Sequence, residues 1–161
     1  MSAVAAVTEA RPSTGKVVLD CAPEVKEKFH FLTLFGLPPD PDLYSRITET
    51  EGLATKNLHQ FIKNTGLQEE QIISLLGIVS RTMERRMAVG RLNPEEADKL
   101  FQVARSFDLM IEILGNAHRA LVWFKTPQPD LDDHTPLEKC RTESGRNMVN
   151  DEVVRIDYNV Y

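Results

Sequence analysis

Between residues 36 and 115 the chain is cut by glycine six times, at Gly36, Gly52, Gly66, Gly77, Gly90 and Gly115. Each of these glycines closes a stretch whose apolar residues recur at helical spacing. Leu43 and Ile47 precede Gly52, Leu58, Phe61 and Ile62 precede Gly66, and Ile72, Leu75 and Leu76 precede Gly77. Glycine after the last periodic residue is a helix stop. A chain punctuated in this way folds into short helices stacked on one another. The segment that escapes the punctuation is the one from Asn93 to Leu114. Asn93 suits a helix cap, Pro94 the first position, and Glu95 and Glu96 face the positive helix end. Its apolar residues, among them Ala97, Leu100, Phe101, Ala104, Phe107 and Ile111, occupy more than one stripe. That is the pattern of a central helix contacted from several sides. The fold class is all-α, an N-terminal helical bundle followed by a helical C-terminal domain.

The remaining segments read less regularly. Residues 1–16 are small and polar, without sustained apolar period, and read as a flexible tail. A helix is expected from Pro23 to Leu34, with Val25, Phe29 and Leu32 on one face, followed by an extended connection from Leu37 to Asp42 that carries three prolines. After Gly115, a short apolar helix from Ala117 to Phe124 surrounds Trp123, which we expect to be a core anchor. An aspartate-rich loop (Asp130, Asp132, Asp133) follows, then a helical turn from Pro136. Thr142 caps a last helix carrying Val149, Val153, Ile156 and Val160; its final residues also alternate well enough to be a strand. No internal repeat appears. The division is 1–16, 17–91 and 92–161.

No run of apolar residues is long enough to span a membrane, and the N-terminus does not read as a signal peptide. Cys21 and Cys140 share no motif, and two isolated thiols without a signal read as reduced and cytoplasmic. Four histidines, His30, His59, His118 and His134, are scattered without metal-ligand spacing, and no glycine-rich phosphate loop is present. Asp132-Asp133-His134 is the one string that resembles a metal or acid/base cluster, and on a loop flanked by proline it reads as a solvated turn. The chain is not read as an enzyme and needs no cofactor.

The net charge of −5 discourages nucleic-acid binding until its distribution is examined. Residues 56–91 hold six Lys+Arg against three Asp+Glu, whereas the segments on either side are acidic. Screening limits exposed charges to about 8–10 Å, so local charge governs contact with phosphate. Within this segment, residues 67–90 form two short helices joined by a turn at Gly77, the content of a helix-turn-helix. Ile72, Leu76, Ile78 and Met83 supply its core. Ser80, Arg81, Thr82, Arg85 and Arg86 are then left on the outer face of the second helix, and these residue types reach phosphates and base edges. The competing reading is a helical hairpin with a basic solvated face. Helix-turn-helix sequences usually carry a hydroxyl two residues after the turn glycine, and here that place is Val79.

The C-terminal strings RLNPEEADKLFQVAR, ILGNAHRALVWFKTPQPDLDDHTPLEKCRTESGRNMV and VVRIDYNVY resemble the Xre/MbcA/ParS family of bacterial antitoxins. Its marks here include Leu92, Pro94 and Glu95; Ala120, Leu121 and Trp123; Thr135, Pro136 and Leu137; Thr142, Gly145 and Val149; and Arg155, Ile156, Tyr158 and Tyr161. The resemblance runs from about Leu43 to Tyr161. It departs at Asp130–His134, more acidic than the usual glycine-containing loop, and at Asn159, where the family often has glycine. The resemblance implies that residues 92–161 bind a RES-domain toxin that consumes NAD, and that the C-terminal segment occludes its active site. Arg155, Asp157, Tyr158 and Tyr161 are the residues suited to that contact, since tyrosine and arginine dominate interface hot spots. The helix-turn-helix also points to operator DNA as a partner, and since such proteins usually bind paired half-sites as dimers, a homodimer is expected. The alternative is a helix-turn-helix regulator without a toxin, which an adjacent RES-domain reading frame would argue against.

Overall fold

The computed structural model describes residues 27–158. The tail at 1–16, the start of the helix expected from Pro23, Cys21, Val160 and Tyr161 lie outside them. The fold is all-α as expected, with one minimal sheet. A 3-10 turn at His30–Phe35 comes first. Helix α1 (Pro41–Arg46) runs into a π turn, Ile47–Glu51. Strand β1 (Leu53–Ala54), α2 (Thr55–Thr65), α3 (Glu69–Leu76), α4 (Ser80–Val89) and β2 (Arg91–Leu92) follow. Then come α5 (Pro94–Leu114), α6 (Ala117–Phe124), a 3-10 turn at Pro129–Leu131, α7 (Pro136–Lys139) and α8 (Glu143–Asp157).

All six punctuating glycines have positive φ. Two local expectations are corrected. Where a helix was expected to run from Pro23 to Leu34, residues 27–28 are α-helical as expected, but His30–Phe35 is a 3-10 turn that ends at Gly36. The extended connection stops at Asp40, not Asp42. Asp40 caps α1 by accepting from the Asp42 N–H, and Pro41 is its first residue. Proline at that position removes only a donor that has no helical partner, so the third proline starts a helix instead of preventing one.

Helix α5 organises the core. Asn93 and Glu96 form a reciprocal capping box at its start, and Ala97, Leu100, Phe101, Ala104, Phe107 and Met110 are fully buried along it. It packs against the 3-10 and π turns, α3, α6 and α8, which explains its several apolar stripes. Aromatic rings join the early segments to it. Phe35 stacks on Phe61 of α2 at 4.4 Å, and both Phe31 and Phe35 meet Phe101 edge-on. The carbonyls of the 3-10 turn are taken up from α2, where Asn57 donates to Phe35 and Asn64 to Leu34. One buried cluster runs continuously from Phe31 to Val153.

The sheet was not anticipated. Strands β1 and β2 pair antiparallel, Leu53 with Leu92 and Ala54 with Arg91. The pairing ties the two ends of the segment that contains α2, α3 and α4. Gly52 makes it fit: its φ is +75°, and a Cβ there would lie 2.0 Å from the Leu92 carbonyl oxygen. Arg91 reinforces the junction by donating to the Glu51 and Gly52 carbonyls.

Candidate functional site

Helices α3 and α4 meet across a short turn. Gly77 takes the left-handed conformation, and its N–H returns to the Ile73 and Ser74 carbonyls. Ile72, Leu76 and Met83 are buried, and Ile78 is partly buried, so the expected small core forms. Lys99 of α5 donates to the Leu76 carbonyl at 3.4 Å, placing a cation at the C-terminal end of α3. On α4, Ser80, Arg81 and Arg85 are exposed and Thr82 is half-buried. Val79, at the position before α4, is 65% exposed, an apolar side chain standing beside these polar ones.

Arg86 behaves differently and corrects the expectation of an exposed face. Its side chain is only 21% exposed and forms a bidentate pair with Glu96, Nε donating to Oε1 at 2.8 Å and Nη2 to Oε2 at 3.1 Å. The Glu96 hydrogen bonds, with its charge, hold the guanidinium's pKa above its usual value. Glu96 is 5% exposed, and its Oε1 also accepts from the Asn93 N–H at 3.0 Å. One buried carboxylate therefore caps α5 and anchors α4. Arg86 turned inward because a buried carboxylate needs a partner, a demand no local pattern announces.

The C-terminal segment is built on α5 and α6. Phe124 is fully buried and stacks on Phe107 at 5.0 Å. Trp123, expected as the core anchor, is half-buried and meets Phe124 edge-on, so Phe124 has that role. The acidic loop turns through Asp132 and Asp133, whose φ angles of 58° and 61° lie in the left-handed region that favours glycine. Aspartate tolerates this region better than most residues. This gives a physical reason for the glycine expected there from the resemblance. Lys139 donates to Asp132 at 2.9 Å, and that bond lowers the Asp132 pKa. Thr135 and Glu138 make a capping box at α7, and the Thr135 hydrogen bonds lower the pKa of Glu138.

Two residues position α8. Thr142 caps it by accepting from the Gly145 N–H at 3.0 Å. A Cβ on Gly145 would lie 1.8 Å from the Lys139 carbonyl oxygen, so the close approach of α7 to α8 requires glycine. Arg146, missed in the sequence, donates from Nε to Gln102 at 2.8 Å and from Nη1 to the Cys140 carbonyl at 3.1 Å. Burial pushes the Cys140 thiol up to about 12, which makes it a poor nucleophile and a poor metal ligand. At the far end of α8, Arg155 is paired with buried Glu152. Asp157 is exposed and Tyr158 is 73% exposed. Tyr161 lies outside the described residues. Among those residues, no three of His, Cys, Asp and Glu converge for a metal, and no helix is long and apolar enough to cross a membrane.

Residues 111–158 match the antitoxin Xre/MbcA/ParS C-terminal toxin-binding domain. The chain is also 29% identical over 97 residues to Antitoxin Xre of Yersinia enterocolitica serotype O:8 / biotype 1B (strain NCTC 13174 / 8081). That similarity covers 59% of this chain and 66% of the Yersinia protein. The matched segment holds the end of α5, α6, α7 and α8, including the Thr142–Gly145 junction and the exposed Tyr158. The C-terminal part of the chain is therefore similar to the toxin-binding domain of the Xre/MbcA/ParS antitoxins, and the matched region spans just under two thirds of the Yersinia protein.

Proposed function

We propose that the protein is the antitoxin of a toxin–antitoxin pair, acting in the cytoplasm by binding and not by catalysis. Its C-terminal segment neutralises a NAD-degrading RES-domain toxin by entering the active site, and its α3–α4 helix-turn-helix binds the promoter as a homodimer. The observation that carries the reading is the exposed end of α8 within the matched toxin-binding domain, where Tyr158 stands 73% in solvent. A large aromatic ring left exposed beside charged groups is a typical hot-spot residue. Asp157 and Arg155 beside it, with Tyr161 further on, supply polar groups for a nucleotide pocket. For DNA, Arg81 and Arg85 supply forks that can address guanine, and Ser80 and Thr82 supply hydroxyls for phosphate.

The test is co-expression of the cognate toxin with the full chain or with a chain lacking residues 157–161, which keeps the Arg155–Glu152 pair, reading growth and cellular NAD. The shortened chain is expected to fold, repress its promoter and fail to protect. Full protection at equal expression would sink the plugging model.

A further inference from the structure

A polar cleft of about 520 Å³ opens between α5 and α8, with Tyr44 of α1 at its wall. From α5 it is lined by Asp98, Gln102 and Arg105, which follow one helical stripe, and from α8 by Arg146, Asn147 and Asn150, with Glu143 also lining it. Two guanidinium groups thus share one cleft, and both lack a carboxylate at ion-pairing distance among the described residues. Arg146 is only 8% exposed, and its hydrogen bonds go to neutral oxygens, those of Gln102 and the Cys140 backbone. A buried charge without a counter-charge is costly, and a buried guanidinium normally has a carboxylate against it. Arg105 lies over the rings of Phe31 and Tyr44, its Cζ 4.9 and 5.0 Å from their centroids. Cation–π contact with these rings does not use up the guanidinium's N–H donors.

The acidic groups of the lining do not fill this demand. Asp98 accepts from Gln102 at 2.8 Å and from the Tyr44 hydroxyl at 3.4 Å, and Glu143 is exposed. Asn150 accepts from Ser106 through its amide oxygen, so its NH2 remains a donor.

We infer that this cleft binds an anionic group of a small ligand, a carboxylate or a phosphate, between Arg105, Arg146 and Asn150. The assignment is independent of the toxin and DNA readings. The test is an NMR titration of the full chain at constant ionic strength, with inorganic phosphate in one arm and succinate in the other. It follows the Arg Nε and Asn side-chain amide signals. Saturable shifts at Arg105, Arg146 and Asn150 are expected, and the arm that saturates at lower concentration identifies the group. Arg105→Gln removes one charge-assisted contact and should weaken binding about tenfold or more. Asn147→Asp, on an exposed position, places a negative charge in the cleft and should abolish binding in a chain that still folds. If neither probe saturates these signals, or if Arg105→Gln binds as well as the unaltered chain, the assignment is overturned.

Discussion

The outer face of α4 and the last turn of α8 both present charged residues to solvent, but they are held in opposite ways. Helix α4 is fixed from outside itself. The Gly77 turn sets its start, Met83 is buried beneath it, Arg86 reaches across to Glu96, and the β1–β2 pair closes the chain just beyond its end. Helix α8 is fixed near its beginning, by Thr142, Gly145, Arg146 and the buried Val149 and Val153. Its last turn is braced by its own helix, where Arg155 pairs with Glu152 three residues earlier. A surface that reads a regular duplex needs donors at set positions, which suits a helix clamped to the core. A segment that enters a partner's pocket needs reach, which suits an exposed helix end. The contrast also separates neighbours: Arg85 and Arg86 are adjacent in sequence, yet one is exposed and the other is part of the clamp.

The largest stability effect should come from breaking the clamp. Arg86→Ala leaves Glu96 buried without its partner, at a cost on the order of 3 kcal/mol, the lower end for an orphaned buried charge. Urea unfolding checks this, and an unchanged midpoint would mean that the pair does not anchor α4. Joint replacement of Arg85 and Arg86 therefore confounds DNA contact with folding.

The comparison is sharpened by removing the exposed arginines alone. Arg81→Ala and Arg85→Ala should each weaken binding to the promoter fragment by roughly 1–3 kcal/mol, with the melting temperature unchanged. Mobility-shift titration measures the first quantity and thermal unfolding the second. Unaltered affinity in both variants would move the DNA-binding face away from α4.

The smallest effect is expected in the acidic loop. Asp133→Gly relieves a left-handed aspartate but adds freedom to the unfolded chain. The two effects oppose each other, and the net change should stay within about 1 kcal/mol. Asp132→Gly differs because it also removes the hydrogen bond from Lys139. A melting temperature that falls sharply for Asp133→Gly would show that the Asp133 side chain holds the loop.

The glycine stops, the Asn93 cap and the Thr142 cap were all legible, because each is decided by residues within one helical turn. So was the buried set Ile72, Leu76 and Met83, which follows from helical periodicity. The start of α1 departs from the sequence pattern for a local reason, since a proline run suggests an extended chain but its last member, Pro41, opens a helix. The site was less legible. Among its candidate residues, exposure followed the pattern for Ser80, Arg81 and Arg85 and failed for Arg86.

By itself, then, the sequence determined the all-α class, the helix ends, the central place of the Asn93–Leu114 segment and the antitoxin resemblance of the C-terminal half. Only the tertiary structure decided that Leu53 would pair with Leu92, that Arg86 would turn toward Glu96, and that Arg146 would lie across Gln102. The physical reason is range. A helix cap or an apolar stripe satisfies itself within a few residues. A buried charge or an open strand edge must be satisfied by whatever the fold brings to it, and that partner is defined once the chain has packed.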